Sequence, residues 1–122
     1  MILVVDDDQQ VRSTIVRGLT ALGYAVREAA GGADALALIE EQKPQLVVLD
    51  YMMPGMDGAE TAREIARIDP DLPIVFSTGH AALRALRQAA GEGVSILEKP
   101  FTFAELDQLI SEILHAKRVR SA

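Results

Sequence analysis

The chain has 122 residues and a mass of 13.2 kDa, a size that suits one domain with a full hydrophobic core. Its formal net charge of -6 argues against nucleic acid as a direct partner, because phosphate binding needs a basic face. The sequence has no cysteine, which excludes disulfides and cysteine-ligated metals and suits a cytoplasmic protein. No apolar run approaches the ~20 residues of a membrane span, so we expect no membrane partner.

Two strand–helix pairs and a third strand are predicted in the first half of the chain. The apolar run Ile2–Val5 predicts a strand, and Asp8 can cap the helix that follows and ends at Gly23. The apolar face of this helix comprises Val11, Ile15, Leu19 and Leu22. Tyr24–Ala29 predicts a more exposed strand, and Ala33–Gln42 a second helix with Leu36 and Ile39 on its apolar stripe. The run Leu46–Leu49 is too short for a helix and predicts a strand buried on both faces.

The second half of the chain continues the alternation. A third helix is predicted from Gly58 to about Ile68, with Ala62, Ile65 and Ile68 directed to the core. Pro73–Ser77 and Val94–Leu97 predict strands, with the helix Ala81–Ala90 between them. Thr102 begins the last helix, and Glu105 at its third position completes a capping box. The stripe of this helix comprises Leu106, Leu109, Ile110, Ile113 and Leu114.

Five strands therefore alternate strictly with five helices over residues 1–122, which we predict to be a single domain. Strict alternation predicts parallel strands joined by right-handed crossovers, with helices on both faces of the sheet. The fold class is α/β, with a doubly wound parallel sheet. In such folds ligands bind at the carboxyl ends of the strands.

Polar residues follow four of the five predicted strands at that edge. They are Asp6 and Asp7 after the first strand, Asp50 after the third, Thr78 after the fourth and Lys99 after the fifth. The second strand is followed only by alanines, so we place it away from the centre of the sheet.

Three carboxylates placed together repel each other and raise one another's pKa unless a cation intervenes. Hard oxygen ligands suit Mg²⁺, which shares its shell with water and phosphate oxygens. A lysine and a threonine hydroxyl opposite the acids can bind a phosphoryl group, and a carboxylate can be the nucleophile. The set therefore predicts phosphoryl transfer with Mg²⁺.

Four motifs in order resemble the receiver domains of response regulators in bacterial two-component signalling. They are VVDDD at Val4–Asp8, VVLDYMMPGMDG at Val47–Gly58, IVFSTGH at Ile74–His80 and LEKPF at Leu97–Phe101. The resemblance covers essentially the whole chain. It implies a flavodoxin-like (βα)5 fold with strand order 2-1-3-4-5.

The resemblance also implies a role for each residue at the sheet edge. Asp50 is the expected phosphoacceptor, with Asp7 a direct Mg²⁺ ligand and Asp6 a ligand through water. Asp50 and the backbone carbonyl of Met52 complete the expected metal ligands. Thr78 and Lys99 are expected to hold the phosphoryl group, and Lys99-Pro100 is expected to be a cis peptide.

The function implied is a phosphorylation-dependent switch, loaded by a sensor histidine kinase or a phosphotransfer protein and read by a downstream protein. Such a protein is not an enzyme, beyond promoting its own phosphorylation and dephosphorylation. A stand-alone regulator and the C-terminal receiver of a hybrid histidine kinase both fit the chain.

Two positions near the end of the predicted sheet bear on how the switch would work. Ile96 stands where receivers commonly carry a tyrosine or phenylalanine that moves inward upon phosphorylation, and its stiff side chain has no ring to reorient. We therefore expect the switch to involve Thr78 and the following loop or helix. Ser77 adjoins Thr78 but should point to the opposite face of the strand, so we expect Thr78 to be the functional hydroxyl.

Two alternative functions remain open from the sequence. A haloacid-dehalogenase-like phosphatase would use Asp6 as its nucleophile, with Asp8 and Ser77 or Thr78 in support, but it leaves Asp50 without a role. A pseudo-receiver would bind a partner without being phosphorylated. The presence of all five site residues argues against the pseudo-receiver.

Overall fold

The computed structural model describes the backbone of residues 1–91 and 93–121, with side chains as far as Lys117. Its five strands are β1 Ile2–Val5, β2 Val26–Ala29, β3 Leu46–Asp50, β4 Ile74–Gly79 and β5 Ser95–Lys99. Its five helices are α1 Gln9–Ala21, α2 Gly32–Glu41, α3 Gly58–Ile68, α4 His80–Ala90 and α5 Phe103–Ser121. Within these residues, no helix is both long and apolar enough to cross a membrane.

All five strands are parallel and lie in the order β2-β1-β3-β4-β5. The prediction of a doubly wound sheet with this order is confirmed, and β2 is indeed at an edge. The strict alternation of strands and helices leaves few other ways to bury the central strands.

The sheet separates two hydrophobic cores. Leu3, Val47 and Phe76 face α2, α3 and α4, whereas Val4 and Val48 face α1 and α5. Neighbouring residues of a strand point to opposite faces, so both must be apolar when helices cover both faces. This explains the continuous apolar runs in β1 and β3.

Two residues predicted on buried stripes are exposed. Leu22 is 40% exposed because it follows the last residue of α1 and no longer obeys the helical period. Ile68 is 41% exposed because it lies three residues after Ile65, short of a full turn, at the margin of the stripe.

The predicted helix caps are present. Asp8 accepts hydrogen bonds from the backbone N–H groups of Gln10 and Val11, at 2.9 and 3.2 Å, so its carboxylate caps α1. The Thr102 hydroxyl accepts from the Glu105 N–H at 3.1 Å, and the Glu105 carboxylate accepts from the Thr102 N–H at 3.2 Å. This reciprocal pair is the predicted capping box at the start of α5.

Candidate functional site

The carboxyl ends of the strands gather the predicted site residues at one edge of the sheet. Asp6 directly follows β1, Asp50 is the last residue of β3, and Lys99 is the last residue of β5. The strand register places Val5 beside Leu49, so Asp6 and Asp50 emerge side by side. Asp50 pairs with Ser77 and Ser77 with Leu97, so Lys99 lies two residues further along its strand, and its long side chain reaches back to the two acids.

Three carboxylates meet there. One carboxylate oxygen from each of Asp6, Asp7 and Asp50 lies within 4.8 Å of the others. Asp6 and Asp50 are buried, whereas Asp7 is exposed. Hard oxygen donors in this number fit a divalent cation such as Mg²⁺, and the open side at Asp7 leaves room for water in its shell.

Lys99 faces the acidic cluster. Its Nζ donates to Asp6 Oδ2 at 3.2 Å and to Asp50 Oδ1 at 3.4 Å, and the side chain is only 27% exposed. The Lys99-Pro100 peptide is cis, as the resemblance implied. The lysine thus partly neutralises two buried carboxylates that would otherwise repel each other.

The electrostatics single out Asp50. Burial, together with the neighbouring Asp6 carboxylate, raises the pKa of Asp50 to about 6, although Lys99 acts in the opposite direction. Burial alone would lower the pKa of Lys99, but Asp50 and Asp6 outweigh it and raise that pKa above its usual value. The cluster therefore holds more negative charge than one lysine can balance.

Backbone and side-chain hydrogen bonds fix the loop that carries Asp6 and Asp7. The Asp6 N–H donates to the Ala29 carbonyl at 3.2 Å, and Asp6 Oδ1 accepts from the Asp8 N–H at 2.9 Å. Arg12 Nη1 donates to the Asp6 carbonyl at 2.7 Å. Sequence reasoning missed Arg12, because its partners Asp6 and Glu28 lie on other segments and come together with it only in the folded chain.

The segment after Asp50 turns sharply into α3. The Gly58 N–H donates to the Tyr51 carbonyl at 2.8 Å, which brings the start of the helix against the end of β3. The side chain of Met52 is 63% exposed beside the buried residues Asp50 and Tyr51. Gly58 was also not predicted as a site residue, since the sequence shows only a turn there.

The end of β4 carries two buried hydroxyls, Ser77 and Thr78. Thr78 Oγ1 donates weakly to the Gly79 carbonyl at 3.4 Å, whereas Ser77 Oγ has no hydrogen-bond partner among the described residues. Ser77 is the register partner of Asp50, and Thr78 lies one residue further along the edge. The choice of Thr78 over Ser77 as the functional hydroxyl stays a prediction.

Ile96 is partly buried and packs against the same core as Phe76, its register partner on β4. Side-chain alternation places Thr78 and Ile96 on that same face of the sheet. The two predicted switch residues are therefore close to one core and to α4.

Comparison with known proteins gives a consistent result. Residues 2–111 match the family described as the response regulator receiver domain. The chain is 42% identical over 106 residues to the response regulator MprA of Mycobacterium sp. (strain KMS), a match covering 86% of this chain and 46% of MprA. It thus spans about half the length of the MprA proteins that it matches.

A second relative has nearly the same length. The response regulator receiver protein CpdR of Brucella abortus (strain 2308) is 38% identical over 116 residues, covering 94% of this chain and 97% of CpdR. Among solved structures, the receiver domain of NtrX from Brucella abortus superposes with a TM-score of 0.88 at 33% identity, covering 94% of this chain and 98% of that one.

Proposed function

This chain belongs to the response regulator receiver domain family, and we propose on that basis that Asp50 is its phosphoacceptor. Receiver domains are phosphorylation-dependent signalling switches. We propose that residues 1–122 form one such domain, cytoplasmic, with a sensor histidine kinase or a phosphotransfer protein as donor. Its downstream partner is a protein.

One observation carries the assignment of Asp50. Asp50 is buried at the end of β3, and the ammonium group of Lys99 contacts one of its carboxylate oxygens. Among the described residues, no backbone N–H donates to either oxygen of this carboxylate. Asp6, by contrast, already accepts from Asp8 and from Lys99 on its two oxygens. Asp50 is thus the carboxylate best placed to react.

The proposed chemistry follows from these residues. A carboxylate oxygen of Asp50 forms a bond to phosphorus while the bond between phosphorus and the donor's histidine nitrogen breaks, and that nitrogen keeps the bonding pair. Lys99 would then contact a phosphoryl oxygen, and the Thr78 hydroxyl would donate to another. Asp6, Asp7, Asp50 and the Met52 carbonyl would hold Mg²⁺, which supplies charge neutralisation and orients the phosphoryl oxygens.

The phosphatase alternative is not favoured, because it needs Asp8 as a partner of Asp6 in the site. The Asp8 carboxylate instead accepts from two N–H groups at the start of α1. The pseudo-receiver alternative assigns no function to the cluster of three acids and a lysine.

The decisive experiment is incubation with Mg²⁺ and acetyl phosphate, followed by mass spectrometry that counts and locates added phosphoryl groups. We expect one group on Asp50, absent from Asp50→Asn and present in Glu40→Gln, a surface control. A label on Asp6 with continued hydrolysis of phosphate esters would favour the phosphatase. A folded protein that takes no label would favour the pseudo-receiver.

We propose further that Thr78 transmits the modification to α4, which begins two residues later at His80. With beryllium fluoride as the phosphoryl mimic, we expect amide exchange in the first turn of α4 to change in the wild type. In Thr78→Val the adduct on Asp50 should still form, but the change in α4 should disappear. An equal change in both proteins would assign the readout to another route, with Ile96 the next residue to test.

A further inference from the structure

Arg12 links three parts of the fold behind the acidic cluster. Its Nη1 donates to the Asp6 carbonyl at 2.7 Å, and its Nε donates to Glu28 Oε1 at 2.8 Å. The Arg12 side chain is only 13% exposed, whereas Glu28 on β2 is 46% exposed. The guanidinium therefore joins α1, β2 and the loop after β1.

The bond to Asp6 acts on a particular peptide group. The carbonyl of Asp6 belongs to the peptide that joins Asp6 to Asp7, and that peptide is planar. Holding its oxygen therefore fixes the orientation of the link between two of the three clustered acids. The planar fork of arginine donates in two fixed directions, which lysine cannot reproduce.

Other contacts leave this peptide dependent on Arg12. The Asp6 N–H is bound to Ala29, and the two carboxylate oxygens of Asp6 are bound to the Asp8 N–H and to Lys99. None of these contacts holds the Asp6 carbonyl. Without Arg12 that buried oxygen would lose its partner, and repulsion among the acids would favour a rotated peptide.

We propose that Arg12, anchored by Glu28, is a positioning residue for the metal site, because it orients the peptide that presents Asp6 and Asp7. The inference rests on the proposed function, in which these acids hold Mg²⁺. Arg12 itself contacts neither the metal nor the phosphoryl group in this role.

The sign of the effect separates positioning from simple electrostatics. Removing a cation near an acidic site should strengthen Mg²⁺ binding if charge alone matters. Loss of a residue that orients metal ligands should weaken binding, and comparable changes weaken metal affinity by about 10- to 100-fold. The two accounts thus predict opposite directions.

The test measures Mg²⁺ affinity directly by NMR titration of backbone amides in Arg12→Gln, Arg12→Lys and Glu28→Ala. We expect Arg12→Gln to raise the Mg²⁺ dissociation constant by about 10-fold or more. We expect Arg12→Lys to raise it as well despite the retained charge, with a smaller increase in Glu28→Ala. Exchange of the Asp8 N–H, which is bound to Asp6 Oδ1, should be faster in the same variants.

Arg27→Gln is the matched control. Arg27 lies beside Glu28 on β2 and pairs with Glu41 at 3.5 Å, on the surface and away from the loop after β1. The Mg²⁺ dissociation constant of Arg27→Gln should stay at the wild-type value. Thermal unfolding of each variant identifies any variant that has lost its fold. If Arg12→Gln does not fold, Arg12→Lys and Glu28→Ala still test the inference.

Unchanged or tighter Mg²⁺ binding in folded Arg12 variants would overturn the inference. Failure of the proposed function would look different, since the wild type itself would then neither bind Mg²⁺ nor take a phosphoryl group on Asp50.

Discussion

Asp50→Asn is expected to be more stable than the wild type at pH 7 in metal-free buffer, by up to about 3 kcal/mol. Burial and the Asp6 carboxylate raise the pKa of Asp50 to about 6 from an ordinary value of 3.8, so ionising this group opposes folding. The amide of asparagine is neutral at every pH and retains an oxygen that can accept from Lys99. The residue expected to be essential for signalling is thus a source of instability in the resting protein.

The pH dependence has a definite sign. Between pH 3.8 and about 6 the folded chain holds the Asp50 proton more tightly than the unfolded chain does. The contribution of Asp50 to stability is therefore fully present below pH 3.8 and is lost as the pH rises through about 6. We expect the advantage of Asp50→Asn to grow between pH 4 and pH 7 and then to level off.

Urea unfolding in EDTA at several pH values measures this difference. Glu40→Gln, on the exposed surface of α2, should remain within about 0.5 kcal/mol of the wild type. Added Mg²⁺ should reduce the stability advantage of Asp50→Asn, because Mg²⁺ should bind the wild type more tightly than the variant and so stabilise the wild type more. A variant no more stable than the wild type at pH 7 would show that Lys99 compensates Asp50 fully.

Gly58→Ala should both destabilise the protein and slow the phosphorylation of Asp50. A Cβ atom at Gly58 would lie 2.6 Å from the Asp50 carbonyl oxygen and 2.7 Å from the Tyr51 Cα, distances that force the backbone to move. The cost of such overpacking is about 1–3 kcal/mol. A displacement of about 1 Å at the reacting carboxylate is expected to lower the labelling rate by about 100-fold.

The control for this prediction is Gly93→Ala, because a Cβ at Gly93 meets nothing within 4 Å. Labelling by acetyl phosphate at saturating Mg²⁺ gives the rate, and urea unfolding gives the stability. If Gly58→Ala labelled at the wild-type rate, the start of α3 would have to move without displacing Asp50.

The sequence predicted the sheet and the acidic cluster because both depend on local patterns. Apolar runs of four residues in β1 and β3 identify buried parallel strands, and parallel strands bring their following residues to one edge. Asp6, Asp50 and Lys99 could therefore be placed together before any contact was known. The capping residues Asp8 and Thr102 were equally predictable, since their partners lie within three residues.

Other features depend on contacts between segments that are distant in the chain, and local sequence patterns do not predict such contacts. Arg12 appears as an ordinary surface residue of α1 until β2 brings Glu28 beside it. Gly58 appears as a turn residue until the end of β3 is found against it. Ser77 was predicted to point away from Thr78, but its register with Asp50 emerges only from the strand pairing.

The three consecutive aspartates after β1 have different tolerances to substitution, although they are chemically identical. Asp8 provides only an acceptor for helix N–H groups, so serine, threonine or asparagine can replace it. Asp6 accepts from a backbone N–H on one oxygen and from an ammonium on the other, which asparagine cannot fully imitate. Asp7 is exposed, and its requirement is a carboxylate oxygen within 4.8 Å of those of Asp6 and Asp50, where we propose that Mg²⁺ binds. A short acidic run can thus carry three independent requirements, one for each position.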